Sequence, residues 1–128
     1  MAIPHNSNLS NGRMFPALGS EKMSESYARQ SARWEPLFEV TQVKGDAETH
    51  PLLSPDDPFA DFETWDAGNI LATEEKTPDM LATEYARSLL GVGIATRDAL
   101  DVNPYQFGLI GSTDSHTALS TADASVMN

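Results

Sequence analysis

The chain has 128 residues, 40% of them hydrophobic, and carries 19 acidic against 8 basic side chains, a formal net charge of -11. This charge disfavours nucleic acids and anionic lipid surfaces as partners, because both are bound through Lys and Arg. It is compatible with cation binding through carboxylates. The chain has no cysteine, which excludes disulfides and thiolate metal sites, and no apolar run of about 20 residues that could cross a membrane.

The predicted elements in the first third of the chain alternate between strand and helix. An apolar stub at residues 1–3 predicts the end of a strand, and the Asn-, Ser-, Gly- and Pro-rich residues 4–20 predict a loop. A helix is expected from about Ser24, a favourable N-cap, to Trp34. The apolar segment LFEV at 37–40 then predicts a short strand.

The rest of the chain continues this alternation after a long interruption. Residues 44–76 predict a long polar loop, and loops of this length in compact domains are often functional. A second helix is expected to begin at Thr77, which suits the N-cap position, and to reach Leu100. The segment FGLI at 107–110 predicts a third strand, and the polar tail at 118–128 is expected to fray.

Strands that alternate with helices predict βαβ units, a parallel sheet and an α/β fold. In such folds, binding and catalytic sites lie at the carboxyl ends of the strands. Several polar side chains occupy that position in the predicted order of elements: His5, Gln42, Asp114 and His116. The sequence therefore predicts a site where these strand ends meet.

The stretch GSTDSHT at 111–117 follows the last predicted strand and carries the strongest candidates. Asp114 and His116 are two residues apart, so in an extended segment both side chains point to the same side. A carboxylate and an imidazole together suit a divalent ion of the Zn, Mn or Fe kind. The alternative is a turn in which Ser, Thr and Asp bond to the local backbone. His5 is either a third ligand or a histidine in a surface loop.

Three further acidic or imidazole side chains are candidates for roles near this site. Glu39 lies within an apolar strand, where a carboxylate is costly unless it is paired, ligating or on an edge that faces water. Glu48 and His50 form an acid–imidazole pair that either contacts metal or substrate or belongs to a solvated loop. The acidic run DDPFADFE at 56–63 lacks the spacing and central glycine of an EF-hand, so we expect a solvated loop.

Four separated segments resemble the bacterial domain-of-unknown-function family numbered 3604. They are IPHNSNLSNGRMF, RWEPLFEVTQVKGDAETHPLLSP, FADFETWDAGNI and NPYQFGLIGSTDSHTALSTAD. The last segment is also similar to the final D-x-H motif of the PHP (polymerase and histidinol phosphatase) metal-dependent hydrolases. The resemblance covers nearly the whole chain, and only the closing ASVMN departs from it.

The resemblance implies a distorted (β/α)7 barrel with divalent metal ions at the carboxyl ends of its strands. Asp114 and His116 match the last metal motif, and His5 matches a late histidine motif, so all three are expected to be metal ligands. Glu39 matches a strand glutamate that lies near the site without being a usual ligand. Glu48 and His50 have no clear ligand counterpart, and we expect catalytic roles in which they orient substrate or water.

The resemblance further implies a single partial domain over residues 1–128, the C-terminal portion of an incomplete PHP-like barrel. The opening H-x-H motif and further ligands of PHP enzymes have no match here. We therefore expect a fragment of a divalent-metal-dependent hydrolase that acts on a small-molecule ester or phosphoester through metal-activated water, and is inactive in isolation. The alternatives are a non-catalytic acidic binding or structural module and a non-functional truncated gene product.

Overall fold

A computed structural model describes residues 1–116, and the tail expected to fray at 118–128 lies outside this part. The fold is α/β with a three-stranded mixed sheet. No helix in residues 1–116 has the length and apolar character needed to span a bilayer. The elements in chain order are the 3-10 helix Ser7–Leu9, α1 (Glu25–Trp34), β1 (Leu37–Gln42), β2 (Gly45–Asp46), the 3-10 helix Pro78–Thr83, α2 (Ala86–Leu100) and β3 (Gly108–Gly111).

The sheet has the strand order β2-β1-β3. Strands β1 and β3 are parallel, with Phe38 opposite Leu109 and Thr41 opposite Gly111, which confirms the predicted parallel pairing. Strand β2 is antiparallel to β1 and was not predicted, because only two residues within the 44–76 loop form it. The β1–α2–β3 connection therefore brings the carboxyl ends of two strands to the same edge.

Helix α1 begins where the sequence predicts. The Ser24 hydroxyl accepts a hydrogen bond from the Tyr27 N–H at 3.1 Å, which satisfies one of the free donors of the first turn. Ala28 is fully buried against the core, and the Ser31 hydroxyl donates to the Pro104 carbonyl at 3.0 Å. One face of α1 is thereby fixed to the segment that leads into β3.

The expectation of one continuous helix from Thr77 to Leu100 is wrong. A 3-10 helix, Pro78–Thr83, ends before Tyr85, whose backbone is extended at φ -108° and ψ 137°. Helix α2 starts at the next residue, where the Ala86 N–H donates to the Ala47 carbonyl at 2.8 Å. The break exists because the long loop, rather than a preceding turn, accepts the first hydrogen bonds of α2.

The apolar stub at 1–3, expected as a strand, is not one, but the amino-terminal segment still runs along β1. The Glu39 N–H donates to the Pro4 carbonyl at 3.0 Å. Further on, the Gln42 amide donates to the side-chain oxygen of Asn6 at 2.6 Å. The segment therefore approaches the carboxyl end of β1, where the polar candidates were expected.

The core is built around four aromatic rings that interlock edge to face. Phe15, from the amino-terminal loop, lies 5.3 Å from the rings of both Phe38 and Tyr105 and 6.0 Å from that of Phe107. Other apolar side chains from both helices, the long loop and the segment before α1 complete it: Met23, Ala28, Ala47, Ala86 and Leu89. Because loops, helices and strands all contribute, the core fixes the strand ends relative to the loop.

Candidate functional site

The parallel pairing of β1 and β3 continues beyond the end of β3. The Ser112 N–H donates to the Thr41 carbonyl, and the Val43 N–H donates to the Thr113 carbonyl, both at 3.1 Å. These two bonds hold the D-x-H segment against the carboxyl end of β1. Asp114 is therefore fixed next to the start of the long loop, as the sequence analysis expected for a site at this edge.

Asp114 and His116 come together at this edge. The His116 Nε2 lies 2.6 Å from the Asp114 Oδ1, and the Lys44 ammonium donates to the Asp114 Oδ2. The side chain of Asp114 is 19% exposed and that of His116 is 77% exposed. The two side chains converge because both residues have positive φ, 45° and 55°, rather than through the extended alternation from which their convergence was predicted.

The electrostatics of this pair favour an ionised carboxylate. The hydrogen bond from Lys44 lowers the pKa of Asp114 below its usual range, and His116 acts in the same direction. An ionised carboxylate beside an imidazole is a donor set that suits a divalent transition metal. Asp114 and His116 supply two donors, and the Lys44 ammonium on the other carboxylate oxygen competes with a cation for that carboxylate.

The other predicted ligands do not join this unit. His5 is exposed, and its Nδ1 lies 3.4 Å from the Ile3 carbonyl oxygen. Glu39 is half-buried and accepts a hydrogen bond from the Ser112 hydroxyl. Within residues 1–116, no three His, Asp or Glu side chains are grouped so that they could hold a metal ion. The ligand role of His5 therefore stays a prediction.

Glu48, a predicted catalytic residue, forms an ion pair with α2. Its Oε1 accepts from the Arg87 guanidinium at 2.7 and 3.0 Å, and Arg87 also donates to the Asp57 carboxylate at 2.6 Å. One arginine thus fastens two points of the long loop to the beginning of α2. Nothing in this geometry brings Glu48 to Asp114, and its catalytic role stays a prediction.

The Asp57 contacts make a testable pH prediction. The pKa of the Asp57 carboxyl is lowered mainly by the hydrogen bond from the Phe59 N–H, and secondly by the hydrogen bond from Arg87. These two hydrogen bonds to the ionised carboxylate therefore stabilise the fold above the unfolded-state pKa of Asp57, and this contribution is lost as the pH falls through the folded-state pKa. In a carbon-detected NMR titration we expect Asp57 to ionise below ordinary aspartates, and Arg87→Gln to restore only part of the difference. Complete restoration would contradict the dominant role of Phe59.

His50, the second predicted catalytic residue, is buried against the Tyr85 ring at 5.4 Å between ring centroids. Its Nδ1 accepts from the Leu52 N–H at 3.1 Å, so the proton is on Nε2, which donates to Asp66 at 3.1 Å. Both ring nitrogens are thus engaged in holding the long loop. The Tyr85 hydroxyl beside it is buried without a hydrogen-bond partner among residues 1–116.

A groove of about 520 Å³, with both polar and apolar lining, opens beside Lys44 at the strand ends. Trp65 forms part of its wall, fixed by an indole N–H that donates to the Gly68 carbonyl at 3.2 Å. Gly45 permits the close approach of the wall, because its φ is 101° and a Cβ there would lie 2.8 Å from the Glu63 carbonyl oxygen. The groove is further lined by Thr41, Gln42, Val43, Thr64, Ser112 and Thr113.

A buried ion pair that was not predicted from the sequence supports this edge. The Lys76 Nζ lies 2.7 Å from the Glu84 Oε2, and the two side chains are 5% and 0% exposed. The same ammonium donates to the Asn8 carbonyl, and the Asn8 side-chain amide donates to the Lys44 carbonyl at 3.2 Å. A signal existed in the sequence, because Glu84 lies three residues after Leu81 and directly before Tyr85, where a helix would place it beside apolar side chains.

Comparison with known proteins gives one family match. Residues 1–126 match the family model described as "Protein of unknown function (DUF3604)". Searches of the curated proteins and of the solved structures found no match.

Proposed function

The chain belongs to the DUF3604 family, and from that premise and the strand-end geometry we propose a divalent-metal-dependent hydrolase of PHP-like fold. The β1–α2–β3 unit supports this proposal, since right-handed units of parallel strands and helices are the building blocks of α/β barrels. The candidate site also lies at the carboxyl ends of the parallel strands, where barrel enzymes carry their catalytic groups.

The observation that carries the proposal is the 2.6 Å approach of the His116 Nε2 to the Asp114 Oδ1. A divalent ion that replaced this hydrogen bond would take one imidazole nitrogen and one carboxylate oxygen as ligands. A divalent ion bound there would polarise an ester and activate water at neutral pH. The remaining positions around the ion would be filled by water or by groups other than this pair.

The residues around the pair suit a small ester or phosphoester. The Lys44 ammonium can move from the Asp114 carboxylate to an anionic substrate oxygen, because the lysine side chain is long and flexible. Thr41 and Ser112 line the groove, and an ester oxygen would bind the Ser112 hydroxyl in place of the Glu39 carboxylate. Phosphoester is the narrower part of the proposal and rests on the resemblance to PHP enzymes, because a fold alone does not determine a reaction.

Metal binding by the full 128-residue chain tests the proposal without requiring turnover. We expect Co²⁺ titrated into the protein to shift and broaden the NMR signals of the His116 ring before those of the His50 ring. Asp114→Asn and His116→Gln should each weaken binding by about tenfold or more, because each removes one of the two donors. His5→Gln serves as the matched imidazole control: an unchanged affinity would remove His5 from the ligand set.

The alternative is a non-catalytic acidic module. It is favoured if Asp114→Asn and His116→Gln leave both the Co²⁺ affinity and the melting temperature unchanged. Weak and uniform broadening of the NMR signals of many Asp and Glu residues would also favour the acidic module. The chain carries 19 acidic side chains, which attract cations even without a specific site. In either case the D-x-H segment would be a turn.

A further inference from the structure

The long loop exposes aromatic side chains next to acidic ones in a fixed arrangement. Residues 45–75 contain nine acidic side chains and neither Lys nor Arg. Within them, residues 56–63 form what we call the aromatic ridge, in which Phe59 is 79% exposed and Phe62 is 60% exposed. These two rings, three residues apart in the sequence, are apolar side chains that the fold leaves open to solvent.

The aromatic ridge is held in place by the fold. The Phe59 N–H donates to the Asp57 side chain at 2.9 Å, and the Phe62 N–H donates to the Phe59 carbonyl at 3.1 Å. Ala60, which lies between the two phenylalanines in the sequence, is only 3% exposed. Arg87, on α2, donates a hydrogen bond to Asp57. The rings are therefore presented to solvent by an anchored backbone, which lowers the ordering cost of binding a partner.

The charges around the rings restrict the partner. Asp56, Asp61 and Glu63 are exposed and form no ion pair with any described residue. Carboxylates beside exposed aromatic rings suit a guanidinium or ammonium group, because such a cation forms an ion pair with a carboxylate and stacks on a ring face. A second copy of the chain, with the same charge of -11, would be repelled, as would nucleic acid and anionic lipid.

From this geometry we infer that the aromatic ridge docks a basic, arginine-bearing segment of another protein. Arginine side chains would lie over the rings of Phe59 and Phe62 and pair with Asp61 and Glu63. Apolar side chains between the arginines would cover the rest of the exposed aromatic surface. The inference does not depend on the proposed metal site, because neither Phe59 nor Phe62 lines the groove beside the Asp114–His116 pair; Glu63 lies at the border of the two surfaces.

The test uses the full chain and defined peptides in calorimetric titrations and amide NMR spectra. The probe is the amidated nonapeptide RALRALRAL, and the peptide QALQALQAL removes its charge. We expect the arginine peptide to bind, to shift the amide signals of residues 56–63, and to weaken as salt is added. The double variant F59S/F62S should bind it about tenfold more weakly, since it removes two cation–π contacts.

The controls separate this site from general attraction to an acidic protein. Ile94→Ser removes a side chain of similar exposure, 62%, from α2 and should leave the affinity unchanged. D61N/E63Q keeps both rings and should also weaken binding. Undetectable binding, equal binding by F59S/F62S, shifts spread over the whole surface, or Phe-dependent binding to phosphatidylcholine vesicles would each overturn the inference.

Discussion

Replacing Glu84 by glutamine is expected to lower the free energy of unfolding by about 3–5 kcal/mol, because it leaves the Lys76 ammonium buried without a counter-charge. Glu84 is fully buried, and its carboxylate accepts from Lys76 at 2.7 Å and from the Gly12 N–H at 3.1 Å. It thus joins the 3-10 segment, the amino-terminal loop and the end of the long loop. Urea unfolding followed by circular dichroism measures the change.

Burial raises the pKa of Glu84, and Lys76 with the Gly12 N–H opposes this only in part. Desolvation is therefore a large cost of the pair, so K76M/E84L should cost less than the sum of Lys76→Met and Glu84→Leu. Glu25→Gln is the matched control, since Glu25 pairs with Arg29 on exposed α1 and should change stability by no more than about 0.5 kcal/mol. A Glu84→Gln cost near that of the control would sink the prediction.

Elements with local signals are the ones that the sequence predicts. Ser24 before a helical pattern specifies the start of α1, and the apolar runs before Gln42 and Gly111 specify two strands. The α/β class follows from their order, because a strand, helix and strand in succession favour parallel pairing. The two-residue β2 has no such signal, and only its pairing with β1 defines it.

The break between Pro78–Thr83 and α2 shows where local signals are overridden. Thr77 and Pro78 do begin a helical segment, as their cap chemistry predicts. The burial of Glu84 and Tyr85 against distant loops then stops it, and such partners cannot be identified from helix propensity. Tertiary contacts at sequence separations above 70 residues, such as that of Glu84 with Gly12, decide this boundary.

The candidate site was predictable in position and only partly in composition. Asp114 and His116 were found from their spacing, and the structure brings their side chains together. Lys44 was missed as their partner, because an ion pair across 70 residues has no periodic signal. His50 was predicted to orient substrate or water. The bonds that hold both its ring nitrogens come from Leu52 and Asp66, and sequence spacing does not reveal them.

Phe15→Ala is expected to lower the free energy of unfolding by about 3–5 kcal/mol, the usual cost of removing a buried phenylalanine. Phe15 is 1% exposed and packs edge to face on Phe38 and Tyr105, and such ring pairs add about 0.5–1.5 kcal/mol each beyond burial. It lies in a loop, so no periodic pattern marks it as core. Its loss should also loosen the amino-terminal segment, because Phe15 joins that loop to the aromatic core.

Phe59→Ala is the matched control for this prediction, because it removes the same atoms from a ring that is 79% exposed. It should change the free energy of unfolding by no more than about 0.5 kcal/mol. Chemical denaturation of both variants gives the comparison, with equal slopes showing that the unfolded states match. Similar costs for the two substitutions would mean that the aromatic cluster around Phe15 is not the centre of the core. A large difference would establish that this cluster is the centre of the core. It would also show that the Phe59 ring is not needed for folding and is free to bind another chain.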